Sequence, residues 1–281
     1  MVNKTSIVVL LLVACILLAS CGPASNYLDT LEPQFEGNFS SQSSDFSGTI
    51  KVVSYNISFA KKIDRASYAL IELDDLKDAD IILLQEMDEI GTEAIAQALG
   101  YNFVYYPASI HSRHDKNFGN AILAKWPIHA SEKIILPHKS PRNQEIRIAV
   151  KAIVTIDGTE ILTYSVHTET FWLGRQKRDA QIGALIQSID TNYQYIVVGG
   201  DFNTLTLRSI KELEKSFSEI GMERATKGAG YTAQYGPFKF VLDHIFTKGM
   251  VVIEAGKSEE AEASDHFPIW TKLRPRDVSQ P

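Results

Sequence analysis

Short apolar runs that stop abruptly at polar residues constrain this chain more than any other feature. Ile81-Ile82-Leu83-Leu84 runs straight into Gln85-Glu86, and Tyr195-Ile196-Val197-Val198 into Gly199-Gly200-Asp201-Phe202-Asn203. Four consecutive apolar residues leave no outward polar face, so each run predicts a strand covered on both sides. A sheet of such strands needs a layer on either face, which excludes an open one-sided sheet. Further strands are expected at Ile50–Asn56, Tyr101–Tyr106, Ala121–Ala124, Ile146–Ile156, Ile161–Val166, Phe240–Phe246, Val251–Glu254 and Pro268–Leu273. Between them, apolar residues recur at helical spacing: Ala66, Ala69, Leu70, Leu73 and Leu76 behind a capping Asp64, and Ile182, Leu185, Ile186 and Ile189 after Arg175. Thr92–Leu99, stopped by Gly100, and Ile210–Phe217 complete the helices. Strands outnumber helices and no repeat occurs. The expectation is one α/β (α+β) domain over residues 49–275, two packed sheets under helices, with a short tail at 276–281.

The N-terminus reads differently. Ile7 to Ala19 is an unbroken apolar run behind Lys4, the length of a signal-peptide core and short for a membrane span. It ends in Leu18-Ala19-Ser20-Cys21, which resembles the lipobox of bacterial lipoproteins. That resemblance implies a signal peptide at 1–20, acylation of Cys21, and a lipid-anchored protein of the bacterial cell envelope facing the periplasm or exterior. An ordinary secretory signal is the alternative. Residues 21–48 carry Pro23, Pro33 and five serines between Asn38 and Gly48, and read as the lipidated cysteine plus a flexible tether with a span of roughly 30 Å. Cys15 and Cys21 are the only cysteines, so the domain has no disulfide framework, zinc ribbon or thiol nucleophile. The net charge of -6, which becomes -7 once Lys4 leaves with the signal peptide, disfavours a protein that coats nucleic acid.

Chemistry-bearing residues stand at strand ends. Asn56 ends the first strand, Gln85-Glu86 the second, His167 the run Ile161–Val166, and Asp201-Phe202-Asn203 the run Tyr195–Val198. Asp243-His244 lies within Phe240–Phe246, and Ser264-Asp265-His266 precedes the last strand. A rigid sheet presents a site in this way. Carboxylate and amide oxygens with two imidazoles favour Mg2+ or Mn2+ over structural zinc.

In order and context these stretches resemble the endonuclease/exonuclease/phosphatase superfamily. The matches are Val53-Ser54-Tyr55-Asn56, Leu83-Leu84-Gln85-Glu86, Gly119-Asn120-Ala121-Ile122-Leu123, Ser165-Val166-His167-Thr168, Gly199-Gly200-Asp201-Phe202-Asn203, Leu242-Asp243-His244-Ile245-Phe246 and Ser264-Asp265-His266. The resemblance implies a four-layered α/β sandwich with its site at one edge of the two sheets. It further implies a divalent cation on Glu86, with Asn56 and Asp265 nearby, and Asp201 and Asn203 on the attacking water and phosphate. His266 would be the base oriented by Asp243, His167 would stabilise charge or protonate the leaving oxygen, and Asn120 would support the phosphate. No glutamate partner for His167 is evident. His111 and His114 read as loop residues or second-metal ligands, and Arg175, Lys177 and Arg178 as a solvated face or a phosphate attractor.

The expected activity is metal-dependent phosphoester hydrolysis by a monomer with no obligate protein partner. Small or lipid-borne esters are favoured over long duplex DNA. Alternatives are a nuclease of the same fold and a non-catalytic binding lipoprotein. A zinc hydrolase built on the seven histidines lacks any His-Glu-x-x-His arrangement.

Overall fold

Ile81 and Leu83 face one side of their strand, and Ile82 and Leu84 the other. That alternation explains an uninterrupted apolar run, because both faces are covered. The structure, a computed structural model, describes residues 23–40 and 46–276. The Cys21 lipobox and residues 277–281 lie outside them.

One sheet runs in the order β1 (Ser25–Asn26), β5 (Asn102–His111), β6 (Lys116–Ala124), β4 (Ile81–Met87), β3 (Ile50–Asn56), β16 (Ile269–Pro275), β15 (Met250–Lys257), with β2 (Phe35–Asn38) also on β5. The second runs β11 (Glu223–Arg224), β14 (Asp243–Lys248), β10 (Tyr195–Asp201), β9 (Thr159–His167), β8 (Arg147–Ile156), β7 (Ile128–Leu136). A small hairpin, β12 (Ala233–Tyr235) with β13 (Phe238–Phe240), sits beside them. Val52, Leu83, Ile122, Val150, Val154 and Val197 interleave between the sheets. Helices α1 (Ile63–Glu72) and α2 (Glu89–Leu99) cover the outer face of the first sheet, and α3 (Arg175–Ser188) and α4 (Leu207–Ser218) that of the second. The result is the expected four-layered sandwich.

Local chemistry fixes the helix ends. Asp88 accepts from the Gly91 amide at the start of α2, and Gly100 ends it at φ 67°. Asp64 is not a cap: it lies in the first turn of α1, whose N-cap is Lys62 without a side-chain bond. Leu73 ends that helix, and Leu76 is buried beyond it.

Three expectations require correction. Residues 23–40 are not a free tether. β1 and β2 pair with β5, and the Phe35 and Phe39 rings pack on Tyr105 and Phe103 at 5.9 and 6.1 Å. The serine and proline content hid two aromatic anchors spaced four apart, one opening an edge strand and one just past its end. Second, the run Phe240–Phe246 is broken, because the Thr232 hydroxyl takes the amides of Leu242 and Asp243 and ends the ladder there. Third, β7 was not anticipated. Its pattern is masked by Lys133, fully buried, whose ammonium donates to the carbonyls of Glu32 (2.8 Å) and Pro107 (3.3 Å). Burial lowers the Lys133 pKa to about 8.

β10 lies so close to β9 that a Cβ on Gly200 would stand 1.9 Å from the Val166 carbonyl oxygen. Gly200→Ala is therefore expected to cost about 3 kcal/mol or more, the upper end of overpacking penalties. Thermal denaturation against Gly228→Ala, where a Cβ meets nothing within 4 Å, reads that difference.

Candidate active site

Strand register assembles the centre. Asp201, the last residue of β10, lies opposite His167 on parallel β9 and opposite Asp243 on antiparallel β14. In the other sheet Asn56 pairs with Gln85, and a bulge between Leu84 and Met87 turns Glu86 out at φ 58°. The two sheets deliver these ends to one place. The Asn56 amide donates to Glu86 Oε1 (3.2 Å) and Asp201 Oδ2 (3.1 Å), while its oxygen accepts from the Ser58 amide. Glu86 Oε2 accepts from the Phe59 amide at 3.1 Å. His167 Nε2 stands 3.6 Å from Asp201 Oδ2 and 3.9 Å from Glu86 Oε1.

A chain of contacts leads to Asp201 from the far side. The Thr232 hydroxyl donates to Asp243 Oδ2 (2.7 Å), which holds His266 Nδ1 at 2.9 Å, and His266 Nε2 lies 3.9 Å from Asp201 Oδ2. Because a carboxylate only accepts, Nδ1 carries a proton and Nε2 of the neutral ring is the free base. The Tyr235 hydroxyl lies 3.0 Å from that nitrogen. Asn203, left-handed at φ 49°, donates its amide N–H to Asp201 Oδ1 and its side chain to the Thr168 carbonyl. Arg178 holds the Asn203 carbonyl at 3.1 Å.

Burial sets the titration. It raises Glu86 above the usual carboxylate range against the pull of Arg147, and raises Asp201 to about 7 against that of His266. It opposes the His266 imidazolium too, but Asp243 and Asp201 outweigh it and lift that pKa to about 10, so at neutral pH the ring is charged and Nε2 becomes a base only when the Asp201 charge is taken up. His167, buried and facing Arg147, is driven well below its normal value and is neutral.

Asn56, Glu86, His167, Asp201, Asn203, Asp243 and His266 thus meet. One expected member does not. Asn120 is buried in the seam between the sheets, its amide donating to the carbonyls of Ile148 (3.0 Å) and Ser165 (3.2 Å). A buried amide must find acceptors, and those on the facing sheet consume it. Asp265 is exposed and accepts from Ser264, and it stands near enough for its charge to act on Glu86 and His266. His111 Nδ1 accepts from the Arg113 amide, and its ring stacks on His114 at 4.8 Å, which spends it structurally. Arg175 is paired with Glu212, and Lys116 with Asp88.

Thr232 escaped the sequence reading, as did three residues of the cavity wall: Arg147, Tyr235 and Glu169. Arg147 is ion-paired with Glu145 (3.3 Å) and Glu169 (3.2 Å) beneath the Phe118 ring. Its trace in the sequence is a lone charge opening an apolar strand. Together Arg147, Tyr235 and Glu169 line a cavity of about 490 Å³ next to Glu86, walled also by Phe59, Phe171 and Trp172, with Arg113 and Arg142 exposed among the residues that line it.

A profile of the Endonuclease/Exonuclease/phosphatase family matches residues 53–266. The chain belongs to that family. Its members are hydrolases of phosphate esters. Among similar structures are an endonuclease/exonuclease/phosphatase of Bacteroides vulgatus (18% identical, TM-score 0.66, covering 81% of this chain and 99% of that one) and a humanised TDP2 of D. rerio (18%, TM-score 0.64, 81% and 100%). A mannosyl-6-phosphatase of Bacteroides thetaiotaomicron shares the fold at 18% identity and TM-score 0.62, over 80% and 99%. UPF0294 proteins are similar in sequence. The one from Erwinia tasmaniensis is 26% identical over 230 residues, covering 80% of this chain and 81% of that one. The one from Yersinia pseudotuberculosis is 25% identical over 138 residues, and the chain spans about half its length, 52%, against 48% of its own.

The family generally uses a divalent cation, and the donor set here fits one. Glu86, Asp201 and Asp243 bring three carboxylates together, with hard oxygens and no thiolate. Asp201, Asp243 and His266 can each place one atom within 4.8 Å of the others. Because His266 Nδ1 is spent on Asp243, that trio is better suited to proton transfer, and Glu86 with Asp201 is the better cradle. Millimolar Mg2+ or Mn2+ should raise the melting temperature, since an ion bound at 100 times its Kd adds about 2.7 kcal/mol. Glu86→Gln should abolish that rise without lowering the metal-free melting point. A full-sized rise in the variant places the ion elsewhere.

Proposed function

We propose that the chain is a divalent-metal-dependent phosphoesterase anchored in the bacterial envelope, acting on small or lipid-borne phosphate esters. What supports this is the Thr232–Asp243–His266 chain aimed at Asp201, beside Glu86, at the wall of a bounded cavity.

Asp243 fixes the His266 ring with Nε2 toward Asp201; the pull of the two carboxylates keeps that ring protonated, and Nε2 could take the proton of an attacking water only once Tyr235 yields its place and the Asp201 charge is taken up, as a cation there would do. Such a positioned base typically supplies ~10²–10⁴ in rate. Asn56 donates to both Glu86 and Asp201 and so holds the two carboxylates side by side. His167, held neutral, offers a hydrogen bond to charge developing on a phosphoryl or leaving oxygen. A cation held by Glu86 and Asp201 would neutralise that charge directly. The cavity is closed in by the segments around Arg113, Arg142, Trp172 and Tyr235, which suits a ligand of limited size better than a long duplex track.

The test is turnover of bis-p-nitrophenyl phosphate, a sphingomyelin-like ester and plasmid DNA, each with Mg2+ and with chelator at about 0.15 M salt. Hydrolysis of either of the first two, lost with chelator, is expected. Nicking of plasmid alone would establish the nuclease reading. Within the couple, His266→Ala and Asp243→Asn should each cut kcat by about 10²-fold or more, and the double variant should add little to His266→Ala. Additive losses would mean Asp243 does not act through His266.

A further inference from the structure

The N-terminal segment does more than pad an edge strand. The Ala24 amide donates to the Asn143 carbonyl at 2.8 Å, and the Asn26 side chain both donates to the Gln144 carbonyl and accepts from the Ile146 amide, each at 2.9 Å. These bonds fasten the start of the described chain to the loop that carries Ser140, Arg142 and Asn143 into the cavity wall. Cys21 precedes Ala24 by three residues, which span at most about 11 Å even when fully extended. The apolar run ending at Ala19 precedes it by five, or about 18 Å. An anchor at either point would hold a bilayer close to the cavity wall.

The mouth has the matching chemistry. Phe171 and Trp172 are 51% and 54% exposed, with ring centroids 4.5 Å apart. The Arg142 guanidinium lies 5.4 Å over the Trp172 ring, and Arg113 is exposed on the same cavity. The acids beside them, Glu145 and Glu169, are consumed by Arg147. Exposed aromatics flanked by arginines that have no ion-pair partner among the described residues are suited to a headgroup layer, where rings bury at the interface and cations meet lipid phosphates.

We propose that the cavity mouth is the membrane-facing surface of the domain, with Phe171 and Trp172 in the headgroup region of an anionic bilayer and Arg113 and Arg142 on its phosphates. The substrate is then a phosphate ester presented from that bilayer. This rests on the envelope-anchored phosphoesterase reading above, and narrows its substrate to the lipid-borne class.

Trp126 and Trp270 are only 8% and 7% exposed, so a quencher in lipid reaches Trp172 selectively. The full chain, purified from membranes and reconstituted in phosphatidylcholine–phosphatidylglycerol vesicles with brominated acyl chains, should show strong quenching. Trp172→Phe should remove most of it, and Arg142→Glu should at least halve it. Twenty Gly/Ser residues inserted between Gly22 and Pro23 give a flexible reach of about 25 Å. That insertion should also halve the quenching, and lower turnover of a lipid ester several-fold while sparing bis-p-nitrophenyl phosphate. No quenching, or quenching unchanged in Trp172→Phe, overturns the membrane face. Lipid-ester turnover indifferent to the insertion overturns the substrate class. Quenching needs no catalysis, so a protein inactive on every ester would lose its proposed function without touching this result.

Discussion

Everything at the centre depends on strand register. Asp201 meets His167 and Asp243 because β9, β10 and β14 end level with one another, and the backbone ladder fixes that level. A slip of one residue would send all three side chains to the opposite face. Register is strongly specified here because both faces of these strands are buried, under α3 and α4 on one side and against the other sheet on the other. The apolar cores therefore determine the chemistry, although none of their residues touches a reacting atom.

The join between the sheets follows the same logic. Near the site the apolar layer gives way to a polar seam. Gln85 donates to the Ser165 hydroxyl at 3.0 Å, Ser165 to the Leu84 carbonyl at 2.9 Å, and Asn120 to two carbonyls of the second sheet. Apolar contacts are non-directional, whereas a satisfied buried hydrogen bond specifies a unique alignment. The seam thus fixes the sheets laterally just where Glu86 from one must face Asp201 from the other. Asn120 contributes to the site at a distance, as a clamp, which is a different role from direct phosphate support.

Much of this was legible in the sequence, because apolar runs and the polar residues that stop them are one-dimensional patterns. The strands carrying Asn56, Glu86, His167 and Asp201 follow from period and length alone, as do the two sheets. What escaped was encoded in pairing rather than pattern. Residues 23–40 look like linker by composition, and only the ring contacts of Phe35 and Phe39 with strand β5 make them structure. Lys133 disguised β7, since a buried lysine satisfied by carbonyls of distant segments leaves no local trace. Arg147 and Tyr235 needed their partners placed in space before either could be associated with the site.

Backbone strain marks where order was worth its cost. Ser58, Phe59 and Ala60 are successively left-handed, at φ 40°, 63° and 49°, and Glu86 and Asn203 share that region without being glycine. Each such residue costs about 1–2 kcal/mol, so surrounding bonds must hold it. They do so through the site itself. Asn56 takes the Ser58 amide, Glu86 takes the Phe59 amide, and Asp201 takes the Asn203 amide. Of these five, each except Ala60 is thereby a site residue or bonded to one, and Ala60 is tied to the Ile57 carbonyl of the same turn. The acceptors are ionisable oxygens and an amide whose positions the sheets already determine. Strain in the loops and burial of the carboxylates are consequently both met by the folding free energy of the whole domain. The site is ordered before any ligand arrives, and binding energy is left for the ligand's own orientation.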